Sequence, residues 1–130
     1  MTRQIISTGN APKPGGAYSQ GIRWDQLIFT AGMVGSDPAR GQPISDNVGE
    51  QTRQVLRNVQ AVLQAAGSDL DHVLKTTCFL ADINDFAAFN EVYREFFPAD
   101  PPARSTVQVG LVPPWRVEIE AIAVRTSASA

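Results

Sequence analysis

From Val117 to Val124 the chain reads VEIEAIAV, and alternate residues sort into two rows: Val117, Ile119, Ala121 and Ala123 against Glu118, Glu120, Ile122 and Val124. A period of two marks a β-strand, whose successive side chains leave opposite faces of a sheet. The unbroken apolar row suits a face covered by helices, whereas two carboxylates among aliphatic side chains suit neither open water nor a closed core. Such a chain must build a sheet with one face under helices and one face left over.

The rest of the sequence supplies the other layers. Arg3–Ser7 reads as an edge strand, and Gly9–Gly16, with Pro12, Pro14, Gly15 and Gly16, as a surface loop. Ala17–Trp24 and Leu27–Val34 are extended runs flanking Asp25-Gln26, spaced for a hairpin. A second loop covers Gly35–Pro43. Asn47-Val-Gly-Glu50 then starts a long helix, with Glu50 placed to reach back to the cap. Val48, Thr52, Val55, Leu56, Val59, Val62, Leu63 and Ala66 recur at helical spacing, and Gly67 stops the run.

Val73–Ala81 reads as a strand. Phe86, Phe89, Tyr93, Phe96 and Phe97 form the apolar stripe of a second helix, which Pro98 ends. Arg104–Val109 and Arg116–Val124 are the last two strands. The order β-β-β-α-β-α-β-β predicts one α+β domain over residues 1–130, with two helices on one face of a mixed sheet. In the penultimate strand Ser105, Val107 and Val109 are the expected helix-facing residues, sending Arg104, Thr106 and Gln108 to the far side with the glutamates. In Val73–Ala81 the alternation sets Leu74, Thr76, Cys78 and Leu80 against Val73, Lys75, Thr77 and Phe79.

A half-apolar face carrying charged groups is rare on a monomer and predicts a symmetric homo-oligomer, with Arg104 and Glu120 in a cleft rimmed by a neighbouring subunit. Eleven basic against thirteen acidic residues give a formal charge of −2, with no basic stripe of the kind that binds nucleic acid. No apolar run approaches the roughly 18 residues of a membrane span. One cysteine and a first decapeptide without the apolar core of a secretory signal point to a reducing cytoplasm.

Two residues carry the sharpest chemical ambiguity. Arg104 follows Pro101-Pro102-Ala103, a rigid approach that would aim its guanidinium fork at a carboxylate ligand, but an ion pair with Glu118 or Glu120 explains it equally well. Glu120 shares the ambiguity. His72, beside Asp69 and Asp71, reads as solvated, and Cys78, in an apolar strand, as an inert buried thiol. No acidic spacing supports a metal site, and GNAPKPGG matches no nucleotide-binding pattern. Tyr18 and Asn90 read as a packed ring and a helix-surface amide.

Along nearly its full length the chain resembles the Rid/YjgF family of reactive intermediate deaminases. The resemblance lies in Gly16-Ala-Tyr18-Ser-Gln20-Gly21, Phe29-Thr-Ala-Gly32, Gln51-Thr-Arg-Gln-Val-Leu-Arg-Asn58, Lys75-Thr-Thr77, Phe86–Asn90, Pro102-Ala-Arg104-Ser105 and Val117–Val124. It implies a homotrimer of chorismate-mutase-like subunits with three cofactor-free sites between neighbours. It also implies hydrolysis of 2-imino acids and their enamine tautomers, such as 2-aminoacrylate and 2-iminobutanoate, to 2-keto acids and ammonia. By this likeness Arg104 holds the substrate carboxylate, Glu120 positions and activates water, and Tyr18, Gly32, Asn90 and Thr106 line the pocket, Gly32 and Thr106 through backbone groups.

Three positions depart from the family pattern: Thr106 where many members have cysteine, Ala31 where many have serine, and Gly35 where proline is usual. The short loop Pro98–Pro102 bears on substrate size, so a bulkier enamine such as 2-aminomuconate is an alternative substrate. A non-catalytic trimeric binder of small carboxylates is the alternative outside enzymology.

Overall fold

The computed structural model of the chain describes residues 2–126; Met1 and residues 127–130, which belong to the span expected to form one domain, lie outside the described residues. Seven strands form one sheet: β1 (Gln4–Ile6), β2 (Gly21–Trp24), β3 (Leu27–Thr30), β4 (Met33–Val34), β5 (Val73–Leu80), β6 (Ala103–Gln108) and β7 (Val117–Val124). Two helices, α1 (Val48–Ala65) and α2 (Phe86–Phe96), complete the layers, with short 3-10 turns at Leu70–His72 and Ile83–Asp85. The sheet order is β1-β2-β3-β7-β5-β6, with β4 also on β7. Every pairing is antiparallel except β5 with β6, which α2 connects.

The central strand behaves as its alternation requires. Val117, Ile119, Ala121 and Ala123 are all buried, and they join Ile28, Cys78 and Leu80 under Val55, Leu56, Val59, Val62 and Leu63 of α1 in one core. Asn47 caps α1, its side chain accepting the Glu50 N–H at 2.9 Å. Glu50 does not reach back as expected. The Ser45 hydroxyl donates to the Glu50 carboxylate and accepts the Asn47 N–H, so a third residue completes the cap. Gly67, at φ +85°, ends the helix in the left-handed conformation that glycine adopts without strain.

Three expectations need correction, and each correction comes from strand register. The run Leu27–Val34 is two strands: Phe29 faces Ile122 but Met33 faces Ile119, so four steps on one side span three on the other. The extra residue is a bulge at Ala31-Gly32, where the Thr30 hydroxyl accepts the Ala121 N–H at 3.0 Å. A second irregularity between Val73 and Lys75 buries Val73 and leaves Leu74 half exposed, reversing the start of that alternation.

The third correction concerns β6, which has the opposite orientation to the one expected. Its parallel register pairs Arg104 with Thr76, Thr106 with Cys78 and Gln108 with Leu80, all three partners being buried under the helices. Arg104, Thr106 and Gln108 therefore face α2, while Ser105 and Val107 point away. The polar row can face a helix because that helix offers aromatic rings and an amide rather than aliphatic side chains.

Polar side chains also fasten loops to the core. Gln51 is fully buried on α1; its amide donates to the carbonyls of Ser45 at 3.0 Å and Pro114 at 3.1 Å, and its carbonyl accepts the Arg116 N–H at 2.9 Å. Gly35 sits so close that a Cβ there would lie 2.9 Å from the Gln51 Cα, which shows how tightly this loop packs on α1. Replacing Gln51 with alanine strands three backbone groups of two loops. Urea unfolding of Gln51→Ala is expected to show a loss of about 3 kcal/mol; a loss below about 1 kcal/mol would mean that the loops find other partners.

Candidate active site

Arg104 opens β6 immediately after the rigid Pro101-Pro102 approach. Its guanidinium carbon lies 4.6 Å from the Tyr93 ring centre, 5.5 Å from that of Phe86 and 5.6 Å from that of Phe89. One N–H donates to Asn90 Oδ1 at 2.8 Å. Among the described residues no carboxylate makes an ion pair with it. The structural reading left open by the sequence, a pair with Glu118 or Glu120, is therefore excluded within one chain.

The aromatic stripe of α2 performs a second task here. Phe86, Phe89, Tyr93 and Phe97 follow one another at centroid distances of 6.0, 5.6 and 4.7 Å, and the first three meet the guanidinium. The Tyr93 hydroxyl shares a 2.7 Å hydrogen bond with Thr76 of β5, which fixes the ring under the cation. Burial pushes the Tyr93 phenol above its usual range. Asn90, Tyr93, Arg94, Phe97, Pro101, Pro102 and Arg104 line a hollow of about 350 Å³. The guanidinium keeps N–H donors beyond the one given to Asn90, enough for bidentate binding of a carboxylate.

Glu120 is on the other face. It sits exposed on β7 opposite Thr77, two residues from Glu118, which lies opposite Phe79. Glu118 is half-buried and packs on Gly32 so closely that a methyl group at that glycine would overlap its Oε2. Burial, and then the charge of Glu120, raise the Glu118 carboxyl above the usual glutamate range. Tyr18, Gly32, Trp115 and Glu118 help to line a hollow of about 770 Å³, and the exposed Tyr18 accepts the Gly15 N–H at 3.1 Å.

The six candidates thus fall into two groups. Arg104, Asn90 and Thr106 lie on the helix side, where the Thr106 hydroxyl neighbours the Cys78 thiol. Tyr18 and Gly32 share the hollow on the far side, and Glu120 belongs to that sheet face. The expectation that Arg104 and Glu120 share a face is wrong for a single chain. Sequence reading also missed the aromatic support of Arg104, because a helical stripe of rings reads as core. It left the part played by Glu118 undefined, because both glutamates fit one strand pattern.

The far face carries an apolar row across four strands, Ile5, Ile22, Phe29 and Ile122 lying side by side in register. Ile5 is 56% and Phe29 40% exposed, and Trp24 and Leu27 are exposed beside them. His72 lies at the surface with Nδ1 2.8 Å from the Asp71 carboxylate. Among the described residues no three His, Cys, Asp or Glu side chains gather as a metal site would require.

Comparison with known proteins is consistent across sequence and structure. A family described as Endoribonuclease L-PSP matches residues 8–125. A rat protein named 2-iminobutanoate/2-iminopropanoate deaminase is 47% identical over 96% of this chain and 92% of its own length. The crystal structure of TdcF from E. coli with bound serine superposes with a TM-score of 0.89 at 42% identity, covering 95% of this chain and 99% of that one. A yeast protein, YEO7, gives a TM-score of 0.92 at 36% identity over 96% and 100% of the two chains.

Cys78 is completely buried, and burial pushes its thiol up to about 11. At pH 8 it is a protonated, inaccessible thiol rather than a nucleophile. A thiol-reactive dye is expected to leave the folded protein unlabelled and to titrate one thiol per chain after unfolding; rapid labelling of the native protein would contradict this placement.

Proposed function

The chain belongs to the Endoribonuclease L-PSP family, the Rid/YjgF proteins, and from that membership we propose that it hydrolyses 2-imino acids and their enamine tautomers to 2-keto acids and ammonia. The observation that carries the reading is Arg104: a guanidinium propped on three aromatic rings, tied to one amide and, among the described residues, paired with no carboxylate. A small 2-imino acid brings the missing anion. Relatives named 2-iminobutanoate/2-iminopropanoate deaminase support the substrate class, and the bound serine of TdcF has an α-carboxylate and an α-nitrogen in the same relation.

The chemistry asks little of the protein beyond placement. A protonated imine is already electrophilic at carbon, so the protein's share is to orient it and present water to one side. Arg104 holds the carboxylate in two parallel hydrogen bonds, Asn90 steadies the fork, and Glu120 receives a proton from the attacking water. Tyr18, Gly32 and Thr106 complete the lining, Gly32 and Thr106 through their backbones.

The opposed faces support a site assembled between copies. Arg104 lies at the β6 edge on the helix side and Glu120 on the open face of β7, so they meet only where the edge of one copy approaches the open face of another. A closed homotrimer supplies three such contacts and covers the row from Ile5 to Ile122. The whole chain serves as one domain in this assembly. Among the described residues no helix is long and apolar enough to cross a membrane; with a single buried thiol, the reducing cytoplasm is the compartment we assign.

The test generates 2-aminoacrylate or 2-iminobutanoate with a dehydratase and follows keto-acid release. The unaltered protein is expected to accelerate it. Arg104→Ala should lower kcat/KM about 30- to 1,000-fold, and Glu120→Gln should lower kcat about 100-fold or more. Light scattering should give three chain masses. Absence of acceleration, or full activity in Arg104→Ala, would overturn the reading.

A further inference from the structure

Building on the proposed imine hydrolysis, we propose that Glu118 is a second carboxyl group of the site, delivering a proton to the departing nitrogen while Glu120 takes one from water. Glu118 and Glu120 occupy alternate positions of one strand face, opposite Phe79 and Thr77. Two strand steps separate their backbones by about 6.6 Å, a spacing that lets two side chains address a small molecule from neighbouring positions.

The surroundings of Glu118 are those of a working group rather than a structural one. A half-buried carboxylate kept for stability is ordinarily paired. Among the described residues Glu118 has neither a hydrogen-bond donor nor a cation. It lies in the hollow that also holds Tyr18, seated on Gly32, where only a residue without a side chain leaves room for it. Gly32 thereby gains a role beyond its backbone groups: it admits the carboxyl.

Burial is the first cause that keeps its proton, and the negative charge of Glu120, on the same strand, acts in the same direction. From β5 the charged group on this face is Lys75, whose ammonium donates to Ser105 Oγ at 3.1 Å. The loop 110–115 contributes no charge, β4 contributes Val34, and Tyr18 brings a hydroxyl already bonded to Gly15. In the assembled site the adjoining copy adds Arg104, which is committed to the substrate carboxylate.

The proton account balances. Water adds to the carbon of the protonated imine, and Glu120 accepts the proton released. The neutral Glu118 carboxyl protonates the amino nitrogen of the adduct, and the C–N bond breaks as ammonia leaves. The Glu118 carboxylate recovers its proton from the adduct hydroxyl as the C=O bond forms. Glu120 then returns its proton to ammonia, giving keto acid and ammonium with both carboxyls restored.

Because Glu118 donates only while protonated, and its carboxyl titrates above the ordinary range, kcat should fall as pH rises through that elevated value. The experiment records pH profiles of kcat and KM for the unaltered protein, Glu118→Gln and Glu118→Asp, together with a 13C titration of the Glu118 carboxyl. Glu118→Gln should keep its fold by circular dichroism, lose about 100-fold in kcat with KM within about twofold, and lack the alkaline fall. Glu118→Asp should recover part of the rate. The Glu118 carboxyl should titrate above ordinary glutamates and move down in Glu120→Gln.

A Glu118→Gln protein with unaltered kcat, or with the same alkaline fall, would overturn the proposal. So would an ordinary titration of Glu118. If the unaltered protein released no keto acid, the substrate reading would fail and the donor role with it; a high, Glu120-dependent titration would then show that the failure lies in the substrate and not in the proton-holding pair.

Discussion

The guanidinium of Arg104, resting on Phe86, Phe89 and Tyr93 and answered by no carboxylate among the described residues, is the interaction on which the rest depends. Rings attract a cation by about 0.5–2 kcal/mol, enough to hold the fork without neutralising it. A carboxylate in their place would occupy the donors that a ligand needs. The aromatic stripe of α2 therefore packs the core at one end and presents a charge at the other. The Tyr93–Thr76 hydrogen bond ties that presentation to the sheet.

The sheet then separates Arg104 from Glu120, the carboxylate proposed to work with it. Parallel pairing of β6 with β5 turns Arg104 toward α2, and antiparallel pairing of β7 with β5 turns Glu120 the other way. Within one chain these are opposite sides of a layer of backbone, and no side-chain rotation carries either through it. A site using both has to be made by two copies. The row of Ile5, Ile22, Phe29 and Ile122, exposed at Ile5 and Phe29 and partly exposed at the other two, would give such copies an apolar reason to associate, since burying such a patch removes it from water.

Much of this fold was readable from the residues, for reasons that are local. The rows of β7, the helical recurrence from Val48 to Ala66 and the stop at Gly67 each express a period set by backbone geometry. What escaped depends on how strands align. The sequence ARSTVQ contains no apolar row strong enough to declare its buried side, so the face of β6 follows from its register with β5 and from what α2 offers. The bulges at Ala31-Gly32 and between Val73 and Lys75 likewise arise from pairing, and they moved Leu74 out of the core. Family likeness pointed to Arg104, Glu120, Tyr18, Gly32, Asn90 and Thr106 as members of one expected site, but no residue pattern revealed their division between two faces.

The most direct measurement of the central claim mixes two inactive variants. Arg104→Ala and Glu120→Ala proteins, unfolded together and refolded or coexpressed, form mixed assemblies in which some contacts unite an intact arginine from one copy with an intact glutamate from the next. If the site is shared, imine hydrolysis returns in the mixture to roughly a quarter of the unaltered activity, the share expected from random closed trimers. If the two groups act within a single chain, the mixture stays as inactive as its components, and the account is wrong.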